Sequence, residues 1–129
     1  MNKIIVEVSV GELLDKISIL EIKQVKIKDP DKLKFISNEH SILKNQLDSN
    51  VRSDNKLNEL FQSLKVINAK LWVIEDDKRQ CEKDKDFGEK FIKLSRDIHF
   101  LNDDRAKIKL EINNHTGSVI KEIKEYTSY

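Results

Sequence analysis

A chain of 129 residues has room for one core of modest size, and 38% hydrophobic against 36% charged residues shifts the balance toward long, solvated helices. Three Gly and one Pro supply too few turns for a β-sandwich or barrel, and 24 basic against 23 acidic residues leave a net charge of +1, no electrostatic footprint for nucleic acid. The single cysteine excludes an intrachain disulfide and fits a reducing compartment. No apolar run nears the ~20 residues of a membrane span, and the start is too short and too acidic for a signal peptide. A soluble cytoplasmic protein with no nucleic-acid partner is expected.

Ile4, Val6 and Val8 alternate with Ile5, Glu7 and Ser9, a period of two that predicts a short strand or an extended arm. Ser9 then caps a first helix, and Glu12 stands where it would complete a capping box. Leu13, Leu14, Ile17, Leu20, Gln24 and Ile27 form one face of that helix, to about Lys28. Glu12, Asp15, Lys16, Lys23 and Lys26 form a charged face. Asp29-Pro30 stops the first helix and starts the second, because aspartate suits the cap and proline the first helical position. In the second, Leu33, Ile36, His40, Leu43 and Leu47 recur at steps of three and four, with Phe35 and Ile42 widening the stripe. So tight a turn predicts that the two lie antiparallel.

The polar run Asp48 to Asn55 predicts a loop, and the longest helical signal follows, from Asp54 to about Lys85. Leu57, Leu60, Leu64, Ile67, Leu71, Ile74, Lys78 and Cys81 give it the rhythm of a left-handed packing seam, interrupted at Lys78. A fourth helix runs from Gly88 or Glu89 to about Asn114 on Phe91, Leu94, Ile98, Leu101, Arg105, Ile108 and Ile112, interrupted at Arg105. His115-Thr116-Gly117 is a stop with glycine available for a left-handed turn. The tail from Ser118 to Tyr126 fits a short helix with Val119, Ile120 and Ile123 inward, or a segment paired with the N-terminal arm.

The pattern predicts an all-α fold, an antiparallel four-helix bundle or long helical hairpins, with residues 1–129 as one domain. A helix of about 30 residues spans ~45 Å, more than the first two helices can cover. Part of the long seam is therefore expected to stay exposed and to find a second copy, as a homodimer.

Gln24, His40, Lys78 and Arg105 are the seam residues that do not belong to an apolar core. They serve register or reach solvent at seam ends, or they converge on a polar pocket inside the bundle. Trp72, Glu75, Asp76 and Arg79 on the third helix and Asn102, Asp103, Arg105 and Lys109 on the fourth are the candidate ligand or polar-core residues. An arginine held by Glu75, Asp76, Asp103 or Asp104 can grip a phosphate or carboxylate, or simply form an internal salt bridge. Asn102, Arg105 and Lys109, continued by Asn113, make a polar stripe suited to an anion; a solvated helix face has the same composition. Glu12, Asp15, Glu75, Asp76 and Asp103 are the carboxylates from which a magnesium site would have to be built, and no second helix repeats the Glu12-x-x-Asp15 spacing. His40, His99 and His115 lack zinc spacing, and neither a nucleophile motif nor a glycine-rich phosphate loop occurs.

Three blocks carry a resemblance: Val8 to Lys23 (VSVGELLDKISILEIK), Leu71 to Asp76 (LWVIED) and Asn102 to Lys109 (NDDRAKIK). In this order they resemble a family of small helical proteins from bacteria and phages known only as a domain of unknown function. The resemblance spans nearly the whole chain and implies no activity. Two functional expectations stand: a helical, self-associating interaction module, and, alternatively, a binding domain or magnesium-dependent enzyme acting on a phosphorylated small molecule such as a nucleotide or sugar nucleotide. In the second, Arg105 and Lys109 hold the anion, Trp72 packs on it, and Glu75 and Asp76 position the arginine or a magnesium ion.

Overall fold

The structure, a computed structural model, describes residues 2–129. Its helices are α1 (Val10–Lys26), α2 (Pro30–Asn50), α3 (Asn55–Asp84) and α4 (Glu89–Thr116), with no strand among the described residues. The capping chemistry sets their starts. Ser9 Oγ accepts from Glu12 N at 3.0 Å, Asp29 Oδ1 from Asp31 N at 2.9 Å, and Asp54 Oδ1 from Leu57 N at 2.7 Å. Gly117, at φ 66°, ends α4 in the left-handed turn that only glycine adopts freely.

Asp54 with His115, Asn68 with Arg105 and Lys78 with Phe91 are successive rungs of one antiparallel hairpin made by α3 and α4. α1 lies antiparallel to α4, with Gly11 against Asn113 and Asp15 against Lys109. α2 folds back along α1, where His40 meets Glu21 at 3.1 Å. Backbone to backbone, α1 touches all three other helices and α2 touches only α1. The centre of the bundle is therefore α1, and the long third helix is one of its walls. The buried residues of α1, from Gly11 and Leu14 to Leu20 and Ile22, wrap an arc of about 220° at 3.6 residues per turn.

Leu14, Ile17, Leu47, Leu57, Leu60, Leu64 and Ile112 form the core, closed by Leu43, Val51, Phe61 and Ile108. Each fully buried leucine or isoleucine contributes roughly 1.5–3 kcal/mol relative to exposure. At the opposite end of the hairpin Ile74, Phe91, Leu94 and Ile98 are only half-buried, although Cys81 is buried. The Lys78 interruption has a local explanation: its ammonium stands 5.3 Å from the Phe91 ring centre, and Phe87 meets the same ring edge-on at 5.4 Å.

Four expectations need correction. Asp15 does not share the solvated face of α1; it is 7% exposed, because α1 is packed on several sides. Glu12 does not close a capping box but reaches Lys109 at 2.6 Å. Phe35 and Ile42 do not widen the packed stripe of α2; they are 78% and 52% exposed on the side away from α1. The tail forms neither a helix nor a strand pair: residues 118–129 have no regular secondary structure, Val119, Ile120 and Ile123 are exposed, and its link to α1 is Val10 N donating to Ser118 Oγ at 3.2 Å. Residues 2–9 likewise form neither helix nor strand.

Lys85 ends α3 in the left-handed region, at φ 54° and ψ 35°, where a Cβ costs roughly 1–2 kcal/mol and glycine nothing. Lys85→Gly is expected to stabilise the protein by about 0.5–1 kcal/mol after the added unfolded-state entropy is subtracted. Urea unfolding checks it, and a lower midpoint in the variant would count against the argument.

Candidate functional site

The interior of the bundle holds a polar network that begins at Asn68. This residue is 4% exposed and sits on α3 four residues after Leu64 and three before Leu71. Its amide nitrogen donates to Asp15 Oδ1 at 2.7 Å and to Ser18 Oγ at 2.8 Å, and its oxygen accepts from Arg105 Nη1 at 3.2 Å. Ser18 in turn donates to the Asp15 carbonyl at 2.8 Å. Both amide protons and the amide oxygen of Asn68 are thus used, and no buried side-chain nitrogen or oxygen among the described residues lacks a partner. A network satisfied this completely locks the register of α1, α3 and α4.

On one side the network ends in Lys109, 9% exposed, which meets Glu12 at 2.6 Å, Asp15 at 3.6 Å and Glu122 of the tail at 3.3 Å. Burial disfavours its charge, but the hydrogen bond to Glu12 and the charges of Asp15, Glu12 and Glu122 outweigh it and raise the Lys109 pKa. The charge of Lys109 is also the main reason that Glu122 titrates below the usual glutamate range. Just beyond, Asn113 Oδ1 accepts from Gly11 N at 2.7 Å. The first three N–H groups of α1 are therefore held by Ser118, Asn113 and Ser9, two of them about a hundred residues away in sequence.

On the other side the network opens at Arg105 into a shallow cavity of about 410 Å³ between α1, α3 and α4. Ile19, Asn68, Leu71, Trp72, Glu75, Asp76, Arg79, Asn102 and Arg105 line it. Arg105 is half-buried and bonds Asn68 through Nη1 and Asn102 through Nη2, the latter at 2.8 Å. These are neutral amide oxygens, so they orient the guanidinium without cancelling its charge. Two of its five donors are occupied and three remain. Neither Arg79 nor Arg105 has a carboxylate partner among the described residues, and neither have Glu75 and Asp76 a cationic one.

Six of the eight candidate residues therefore share one cavity: Trp72, Glu75, Asp76, Arg79, Asn102 and Arg105. Lys109 belongs to the same network but lies on its far side, against Glu12 and Asp15. Asp103 faces the tail, where its carboxylate accepts a hydrogen bond from the Tyr129 hydroxyl. Along the stripe Asn102, Arg105, Lys109 and Asn113, the last two are buried and the first two half-buried at the cavity, and each member bonds a neighbour within the bundle. The carboxylates considered for magnesium are not gathered: Glu12 and Asp15 are taken by Lys109, and among the described residues no three His, Cys, Asp or Glu side chains form a metal-holding group. Sequence reasoning missed Asn68, Ser18 and the close contact at Gly11. Asn68 had a signal, since it keeps the four-then-three rhythm between Leu64 and Leu71.

A second cluster lies apart from the cavity. Glu21 accepts from Lys65 Nζ at 2.9 Å and pairs with His40 Nε2 at 3.1 Å. Burial pushes its pKa up, but the hydrogen bonds from His40 and Lys65 and their charges prevail and lower it. With the folded value below the ordinary 4.5, this contribution is complete above that value and is lost as pH falls through the lowered one. Glu21→Gln is expected to destabilise the protein at neutral pH and to flatten the acid side of its stability curve. Urea titrations from about pH 7 to about pH 3 measure this. A variant whose acid limb matches that of the wild type would refute it.

Fold and site together define a four-helix protein built around an interior polar network that opens on one mixed-charge cavity. No helix among the described residues is long and apolar enough to cross a membrane. The model of the Family of unknown function (DUF6165) matches residues 4–129, and the chain belongs to that family. No curated protein and no solved structure matches the chain.

Proposed function

We propose that the protein binds a phosphorylated small molecule in the Arg105 cavity. The observation that carries this reading is a half-buried guanidinium held by two neutral amides, with no carboxylate partner and three donors to spare. An internal salt bridge would have placed Glu75 or Asp76 on it. A cation fixed in advance loses little freedom when an anion arrives, and the planar fork of arginine matches phosphate oxygens. Arg79 supplies a second guanidinium to the same cavity. Its volume lies within the ~300–1,000 Å³ of small-molecule sites.

Thermal unfolding in the presence of nucleotides, sugar phosphates and inorganic pyrophosphate tests the proposal. A ligand at ~100 times its dissociation constant stabilises by about 2.7 kcal/mol, which raises the midpoint of a chain this size by roughly 10 °C. Arg105→Leu is expected to abolish the shift. It also costs about 1–2 kcal/mol of stability by leaving the buried Asn68 oxygen unpaired. A flat response across millimolar concentrations would overturn the reading.

Self-association as a homodimer is a second reading with its own support. Phe35 and Ile42, seven residues apart on α2, lie on one outer stripe, and Val73, Phe87, Ile92 and Phe100 are exposed on the hairpin. Paired with a second copy, these surfaces would make the protein an interaction module. Sedimentation equilibrium of the wild type and of Phe35→Glu decides it: a wild-type monomer at ~100 μM, well above a dissociation constant of ~1 μM for a stable pair, removes the reading.

A further inference from the structure

The cavity holds more than an anion requires. Glu75 and Asp76 line it beside Arg79 and Arg105, unpaired, and a bare phosphate would meet their repulsion together with the attraction of the arginines. A ligand that satisfies the whole lining is anionic at one end and carries hydroxyl or amino donors at the other. It also has a flat face for the half-buried indole of Trp72.

Resting on the phosphate-binding reading above, we infer that the ligand is a nucleotide, with its phosphates on the Arg105 guanidinium and its base against Trp72. Asn68, Trp72, Glu75 and Arg79 form one stripe of α3 at steps of four, three and four, so Trp72 stands about 6 Å along the helix from the level of Arg105. That is the scale of the separation between a nucleotide's α-phosphate and its base. The carboxylates of Glu75 and Asp76 accept hydrogen bonds from the ribose hydroxyls or the exocyclic amine. A carboxylate does the same for the ribose in dinucleotide-binding folds. Leu71 and Ile19 supply the apolar floor. A sugar phosphate without a base would leave the indole unused, and pyrophosphate would leave both carboxylates facing negative charge.

Trp72 is the sole tryptophan, so its emission reports on this cavity and on no other part of the protein. The experiment titrates the full chain with ADP, UDP, ribose 5-phosphate and inorganic pyrophosphate. Absorbance-corrected tryptophan emission and calorimetry are read together. The nucleotides are expected to change the emission saturably and to bind at least ~10-fold more tightly than ribose 5-phosphate or pyrophosphate. Trp72→Leu should remove that advantage in calorimetry while leaving the weak binding of pyrophosphate. The exposed pair Glu75→Gln and Asp76→Asn, which does not endanger the fold, should weaken nucleotides and tighten pyrophosphate. If ribose 5-phosphate binds as well as ADP, or if the carboxylate variants leave the ratio of nucleotide to pyrophosphate affinity unchanged, the nucleotide assignment fails and the phosphate site stands. If no phosphate compound binds, or if binding survives Arg105→Gln, the site itself is wrong and both readings fall.

Discussion

Replacing Gly11 with alanine is expected to destabilise the protein by about 3 kcal/mol, although alanine is the better helix former by ~1 kcal/mol. A Cβ at this position would sit 2.6 Å from the Lys109 carbonyl oxygen and 3.0 Å from Asn113 Oδ1. The first of these is backbone within α4 and cannot turn aside. α1 would have to back away, at an overpacking cost of ~1–3 kcal/mol. The movement also lengthens the Gly11–Asn113 and Lys109–Glu12 hydrogen bonds, and a buried donor left unsatisfied costs a further ~1–3 kcal/mol. Gly88→Ala is the control: its Cβ would meet only Asp86 Oδ1, at 3.4 Å, so the change should cost no more than the ~0.5–1 kcal/mol of trading a glycine for alanine at the N-cap of α4. Urea unfolding of the two variants measures the difference. Equal midpoints would mean that α1 and α4 are not in the close contact described.

Lys109→Met is expected to cost more, about 3–5 kcal/mol, because the buried carboxylate of Asp15 would then face no cation at all. Methionine keeps most of the apolar stem, so the loss reads the charge and not the packing. Adding Asp15→Asn should restore a large part of the stability: the buried charge disappears, and an amide oxygen remains to accept from Asn68. Glu122→Gln, which alters the half-exposed tail contact, should cost no more than ~1 kcal/mol. The pH dependence carries a sign. Since the folded pKa of Lys109 is raised, its contribution is complete below the ordinary lysine value of 10.5 and is lost as pH rises through the folded value. The gap between wild type and Lys109→Met should therefore hold through neutral pH and narrow only in strong alkali. If the double variant is no more stable than Lys109→Met, Asp15 is not the group that Lys109 compensates.

The contrast between Arg105 and Lys109 shows how one helix stripe can carry two kinds of cation. The two are four residues apart on α4 and contribute to the same network. Lys109 is enclosed by carboxylates and is structural in character. Arg105 is met by amides and stands at the mouth of the cavity, where its charge is available. Residue type alone does not separate them; the groups on the facing helices do.

Much of the architecture is written locally. Asp29-Pro30, Asp54 and Gly117 mark helix ends because capping and left-handed turns are decided by a residue and its immediate neighbours. The gathering of Trp72, Glu75, Asp76 and Arg79 was equally legible, since steps of three and four put side chains on one side of α3. So was the placing of Asn102 and Arg105 on one stripe of α4. What the tertiary structure alone decided is which side each stripe faces and what meets it there. A helix enclosed by three others has a buried arc too wide to show as a stripe, and for that reason the sequence pattern of α1 sent Asp15 to solvent. The burial of Asn68 and Ser18, the contact at Gly11 and the link from Lys109 to the tail join residues between 13 and 102 positions apart. Contacts of that span arise from packing, and local periodicity carries no record of them.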